Sequence, residues 1–462
     1  MSKKEKAKPN WLDPNTTAEN EVLPKYVKWA WTSRAVSLGI NAVLLMQITF
    51  FCTDMLGMNP LTVGTLFLAS KLFDGVTDLI AGFIIDKTHT KFGKARPYEL
   101  FIIAVWVLTI ALFAAPNLSQ TGLCVFVFVV YTLLNSVCAT FLYSSDAVYL
   151  ARSVRSEKNR VNVMSFNGGV LMLLSIIVSI ALPILIGTVG VVRQGWVTIA
   201  LIFGVPLMFI GLLRFFFVKE VVNTTADGTE AAKDTIDLKT GLKSLGKNKY
   251  IFILAGMCLL AQLMTNMTST TTYYFKYIIG DVTLASLVSM SAMITPFLIF
   301  LFPLISRKLG TVGVLRAGLA ISLAGYVIRI IGGANLGTIT AGSLICSVGT
   351  MPLTTMINIY LIDCMDYGQW KTGVRVEGLV GSVVAFCNKL GSGLASGLVG
   401  VIMGMAGYNG DLDVQSATAN AAIVGLFNWA PLIMTAIIFG LAIIYKIDKE
   451  MPTIREELAK RN

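Results

Sequence analysis

Three ionisable residues stand inside an apolar run where a membrane helix would ordinarily have none. Lys71, Asp74 and Asp78 lie in the run that opens at Pro60, and their i, i+3, i+7 spacing puts them on one helical face. At membrane depth each charge costs roughly 2.5 to 3.5 kcal/mol, so such groups face a polar interior and mark ion or substrate pathways. Two carboxylates one turn apart can share a cation or a proton, and an ammonium one turn below can hold them when neither is bound. Thr77, on the same turn, adds a hydroxyl suited to Na+. The expected chemistry is reversible binding of Na+ or H+ at Asp74 and Asp78, with Lys71 as counter-ion. Lys389 lies too deep in a later apolar run to reach the membrane surface and reads as a second counter-ion.

A second set of charges sits where apolar runs end. Asp363 and Asp366 close one run, Arg160 opens another, and Arg375 follows the two acids. Such pairs are suited to a cytoplasmic gate that closes when the cavity faces out, or to a packed loop. Asp146, six residues before Arg152, reads equally as an ion pair at a helix end or as a substrate contact.

These residues need a scaffold of membrane helices, and the composition supplies one. Of 462 residues 55% are hydrophobic and 14% charged, with a mean hydropathy of +0.73. A soluble core of that size is excluded. Apolar runs at about 35–53, 59–86, 99–116, 123–150, 161–188 and 196–218 are followed by a polar stretch and then by runs at 251–278, 281–306, 317–333, 336–362, 377–405 and 421–446. A span needs roughly 20 residues, so the expected fold is all-α with twelve transmembrane helices. The expected parts are a cytoplasmic tail (1–34), a six-helix half (35–218), a middle loop (219–250), a second six-helix half (251–446) and a C-terminal tail (447–462).

The net charge of +11 invites a nucleic-acid reading, but the basic residues are spread over short loops. Alternate loops and the two tails hold 31 of the 37 Lys and Arg, against Arg193 alone on the other side. Both termini are therefore expected in the cytoplasm of a multi-pass inner (plasma) membrane protein. The partners expected are the lipid bilayer and a small molecule, not nucleic acid, with a monomer as the working unit.

Seven cysteines show no metal-ligand spacing, and only Cys52 with Cys124, both near the outer surface, would permit a disulfide. The one histidine, His89, sits in a basic loop. Gly393-x-x-x-Gly397 and Gly400-x-x-x-Gly404 read as close helix packing rather than a phosphate loop. No nucleophile, metal triad or nucleotide motif points to an enzyme or to a cofactor beyond the coupling ion.

Weak echoes between the halves, such as Asp146 with its basic loop and Asp363 with Lys371, suggest repeats of the major facilitator kind. More specific is the run Asp74-x-x-x-Asp78, Asp86 and Lys91-Phe-Gly-Lys-x-Arg96-Pro97. It resembles the second helix and following loop of the glycoside-pentoside-hexuronide:cation symporters. Asp363-Cys-Met-Asp366-Tyr-Gly-Gln-Trp-Lys371-Thr-Gly-Val-Arg375-Val-Glu377-Gly resembles that family's loop between helices 10 and 11. Lys389 falls where the family keeps a lysine, and Tyr273-Tyr274-Phe275 matches helix 7. The likeness covers about 35–446.

The resemblance implies cation-coupled symport of a glycoside or sugar acid by alternating access. The alternative on the same scaffold is a lipid-like amphiphile. Where characterised members carry sugar-binding acids on helices 1 and 4 and an arginine on helix 5, this chain has Leu38, Leu142 and Gly168. A rebuilt sugar site would draw on Asn41, Gln47, Asn135, Tyr143, Asn167, Tyr273 and Tyr274, since sugars need matched hydrogen bonds and an aromatic face. Lys71, Lys276 and Lys389, the missing acids, and the form of the 371–378 loop favour a hexuronide over a neutral pentoside.

Overall fold

The computed structural model describes residues 11–12, 16–17, 19–221, 243–267, 269–294, 302–374 and 377–461. Arg375 and most of the expected middle loop lie outside these residues. Among the described residues the only β feature is an isolated bridge, Thr90 to Gly93. The rest of the regular structure is helical, as a chain with no water to satisfy its backbone requires.

Nine helices among the described residues are long and apolar enough to cross a membrane. A bent pair, Lys25–Leu45 with Ile48–Met55, adds a tenth with a 41° bend. Pro60–Lys87 has 28 residues but carries Lys71, Asp74 and Asp78 in its middle.

The chain forms two compact units, Met1–Phe51 with Leu66–Gly228 and Cys52–Thr65 with Thr229–Asn462. In the first, α1 (Lys25–Leu45) packs on α6 (Glu157–Thr188) and α7 (Arg193–Phe217). Between α1 and α6 in the chain come α2 (Pro60–Lys87, of which the residues from Leu66 on belong to this unit), α3 (Phe101–Phe113), α4 (Gln120–Thr132) and α5 (Thr140–Ser153), the last two joined by the π-helical Leu133–Ala139. Helix α1 starts ten residues earlier than the apolar run. Val27, Ala30 and Trp31 bury in a core with Tyr149 and Val218, so tertiary contacts extend the helix through residues that look like tail. Gly211 lets α1 and α7 approach, because a Cβ there would stand 2.9 Å from Ser37 Oγ.

The second unit contains α8 (Lys249–Asn266), Ser269–Tyr274 with the π-helical Phe275–Ile279, α9 (Thr311–Gly332), α10 (Leu336–Thr355), α11 (Ile357–Thr372), α12 (Glu377–Met405), α13 (Ala430–Ile444) and α14 (Ile447–Arg461). A Cβ on Gly400 would lie 2.4 Å from Pro60 O, so the small residues of α12 do pack a backbone closely. The expected C-terminal tail is helical over Ile447–Arg461. Ile447, Met451 and Ile454 are spaced i, i+4, i+7 and bury against Tyr250, Tyr367 and Tyr445. All seven cysteines are free thiols.

Candidate functional site

The acidic face of α2 meets the π-helical segment after α4. Asp74 is buried; one carboxylate oxygen accepts from Lys71 Nζ at 3.0 Å and the other from Ser136 Oγ. Ser136 also reaches the Ser70 carbonyl at 3.3 Å, and Thr132 Oγ1 donates to Ser70 Oγ at 3.0 Å. The carboxylate thus sits among hard oxygen donors with an ammonium on one side, a setting suited to a small cation or a proton. Asp78 is half-buried one turn along. Thr77 Oγ1 donates to the carbonyls of Phe73 and Asp74 at 3.1 and 3.2 Å. A π-helical turn costs hydrogen-bond geometry and is frequent at functional sites; here it presents Ser136 to Asp74.

A second cluster of the same unit was not legible as a cluster. Arg34 of α1 and Arg214 of α7 both bind Asp146 Oδ1, Arg214 at 2.6 Å. Glu99 stands 3.6 Å from Arg34 and 3.7 Å from Arg214. The Arg214 guanidinium lies 3.4 Å over the Trp31 ring and 4.8 Å from that of Tyr149. Asp146 therefore pairs with these two residues, and the expected end-of-helix partner Arg152 instead binds Glu220 at 2.6 Å. Arg34 falls at the end of the stretch expected as a tail, and nothing in the run 196–218 signals what Arg214 meets. Only the folded helices bring them to one carboxylate.

In the second unit, Asp54 is the missed residue. Its buried carboxylate takes Lys276 Nζ at 2.6 Å, Tyr277 OH at 2.7 Å, Tyr408 OH at 2.5 Å and Thr53 Oγ1 at 2.9 Å. Burial, with the Asp54 charge beside it, pushes the Tyr408 hydroxyl well above the usual tyrosine range, so it stays a donor at physiological pH. Both π-helical segments here, Phe51–Met55 and Phe275–Ile279, carry members of the network. The available signal was a single acid closing the run Phe50-Phe51-Cys52-Thr53-Asp54.

The expected sugar-binding residues fall in different environments. Tyr143 is 60% exposed on α5, with Arg34, Lys71 and Asp146 as the charges around its hydroxyl. Asn135 Nδ2 donates to Tyr131 O at 3.2 Å, and Asn167 is half-buried with Oδ1 lacking a hydrogen-bond partner among the described residues. Asn41 is buried and donates to Thr109 Oγ1 at 2.7 Å, and Gln47 is buried. Tyr273 is buried with its hydroxyl 2.6 Å from Thr53 Oγ1. Tyr274 is buried too, stacked on Phe427 and bonded to Gly333 O at 3.2 Å.

Of the gate residues, Asp363 pairs with Arg455 of α14 at 2.9 Å, and Asp366 lies 3.9 Å from the same guanidinium. Arg160 binds the Val154 and Ala151 carbonyls at 2.6 and 3.0 Å, closing α5. Lys389 is exposed on α12. Among the described residues no three His, Cys, Asp or Glu side chains form a metal-holding group.

An all-helical membrane scaffold with ionisable residues gathered inside its helices is the build of a membrane transporter. The chain belongs to the MFS/sugar transport protein family, whose sequence profile matches residues 34–449, and is akin to the glycoside-pentoside-hexuronide symporters within it. It is 32% identical over 432 residues to an isoprimeverose transporter of Lactiplantibacillus pentosus, covering 90% of this chain and 87% of the relative. It is 27% identical to the uncharacterized symporter YjmB of Bacillus subtilis strain 168, covering 89% and 90%. Among solved structures it is similar to a bacterial homolog of the human lysosomal transporter Spinster. There the TM-score is 0.61 at 13% identity, covering 92% of this chain and 96% of the other, a likeness of fold alone.

Proposed function

We propose that the protein carries a glycoside across the cell membrane by cation-coupled symport, through alternating access, with Asp74 at the coupling site. The observation that carries this is the Asp74 carboxylate held between Lys71 and Ser136 in a pocket of hydroxyl and carbonyl oxygens. A bound Na+ or H+ would neutralise Asp74 and free Lys71, and a substrate that binds better in that state would be coupled to the ion. Asp78 and Thr77 stand close enough in sequence to complete the site.

For the cargo, of the three cations behind the sugar-acid reading Lys276 is held by Asp54, and Lys71 is held by Asp74 until the coupling ion frees it. That removes one cation from the argument for a uronate, and a neutral glycoside is the preferred reading. The isoprimeverose transporter among the relatives points to sugars rather than lipid-like amphiphiles.

Twelve spans with both termini in the cytoplasm remain the best reading of the topology. The nine apolar helices, the bent Lys25–Met55 pair and the 28-residue helix Pro60–Lys87 support that reading.

Uptake of radiolabelled neutral glycosides and glucuronides into membrane vesicles, with an imposed Na+ or H+ gradient, tests the proposal. The expected result is accumulation of a neutral glycoside that collapses when the driving gradient is removed, and that Asp74→Asn abolishes. Undiminished concentrative uptake in Asp74→Asn would place the coupling elsewhere.

A further inference from the structure

We infer that Asp146 is a substrate-recognition residue: its outward carboxylate oxygen, Oδ2, accepts a hydrogen bond from one hydroxyl of a neutral sugar. The inference rests on the glycoside reading above and deepens it by naming the group that selects the sugar.

The Arg34–Glu99–Asp146–Arg214 quartet is closed everywhere except at Asp146. The side chains of Arg34, Glu99 and Arg214 are at most 3% exposed, whereas that of Asp146 is 33% exposed. Both arginines bind the same oxygen, Oδ1. Oδ2 takes no donor among the described residues. A carboxylate with a third of its surface open keeps its charge only where water can solvate it, so this face of Asp146 opens to an aqueous space.

The charges then choose the ligand. Two guanidiniums on Oδ1 repel a cation, and the carboxylate itself repels an anion. The quartet balances two positive against two negative groups and offers no net charge to either. What remains is an uncharged donor, and a sugar hydroxyl is one. The arginines also hold the acceptor still, since Arg34 and Arg214 come from α1 and α7 and clamp it from two helices. One turn earlier on α5, the exposed Tyr143 ring stands beside it as the aromatic surface against which a pyranose C–H face packs.

The test is equilibrium binding by calorimetry to the purified full-length protein in nanodiscs, in Na+ buffer at mildly acidic pH. The probes are methyl gluco-, galacto- and xylopyranosides, each with its set of single-deoxy analogues. In the wild type one neutral series binds, and removing one particular hydroxyl weakens it about 10- to 100-fold. In Asp146→Asn the parent sugar weakens by a similar factor, while removal of that same hydroxyl costs nothing further, the signature of a direct pair.

Asp146→Glu keeps the charge on the arginines but moves the acceptor. It gives the same loss of coupling and carries the test if the Asn variant is not recovered folded. If the folded variants bind parent and deoxy analogues all as the wild type does, or weaken all by one factor, Asp146 serves only its arginines and the inference is overturned, the glycoside reading standing. If the wild type binds no neutral pyranoside in any series, the glycoside reading itself fails and takes this inference with it.

Discussion

Lys276 Nζ lies 2.6 Å from Asp54 Oδ1, and the carboxylate it meets is completely buried. Three hydroxyls, from Tyr277, Tyr408 and Thr53, complete the shell. A buried ion pair contributes little beyond its desolvation cost when intact, but removing one partner leaves the other charge stranded.

Lys276→Met should therefore destabilise the protein more than the double variant Asp54→Leu with Lys276→Met. The single loss is about 1–3 kcal/mol, limited because three hydroxyl donors remain on Asp54. Thermal unfolding of the detergent-purified variants gives the ranking. Equal or additive losses in the double variant would mean that the two residues do not act as a pair.

Ser136 should matter to coupling almost as Asp74 does, because it donates to the same carboxylate. Ser136→Ala is expected to weaken activation of uptake by the coupling ion about 10- to 100-fold, in line with roughly 1.5–3 kcal/mol for a lost hydrogen bond to a charged group. Maximal sugar exchange should be changed far less. The check is the ion dependence of vesicle uptake, and an unaltered half-saturating ion concentration would remove Ser136 from the site.

The topology predicts opposite labelling at two positions. With Cys124 replaced, a cysteine at Ser119 should react with an impermeant maleimide added to intact cells, and one at Lys243 should react only after permeabilisation. Reaction at Lys243 in intact cells would invert the charge-based orientation.

The C-terminal helix should be structural. Ile454→Asp places a charge in the core shared with Tyr250 and Tyr445, and should cost at least about 3 kcal/mol. Arg455→Ala, which loses a contact from a largely exposed side chain to Asp363, should cost under about 1 kcal/mol. Unfolding temperatures of the two variants measure the difference, and equal stability of both to the wild type would show that α14 is not held.

The sequence by itself determined the all-helical membrane class and placed Lys71 and Asp74 on one face, because apolar run length and 3.6-residue spacing are local properties. It also marked Gly400 as a packing glycine. It could not show that Asp74 is bonded to Ser136, 62 residues away, or that Arg34 and Arg214 converge on Asp146. Partners on different helices leave no mark in either helix's own periodicity. The same limit hid the Asp54 network, whose members come from three distant stretches. It also turned Asn41, Tyr273 and Tyr274, polar residues in apolar runs, into bonded and buried helix contacts. That the segment after 446 forms a packed helix was hidden for a different reason: Ile447, Met451 and Ile454 carry the helical period, but only a core for them to bury against makes that period count. Which polar residue in a membrane helix binds a ligand and which merely holds a neighbour is decided by what the folded chain sets opposite it.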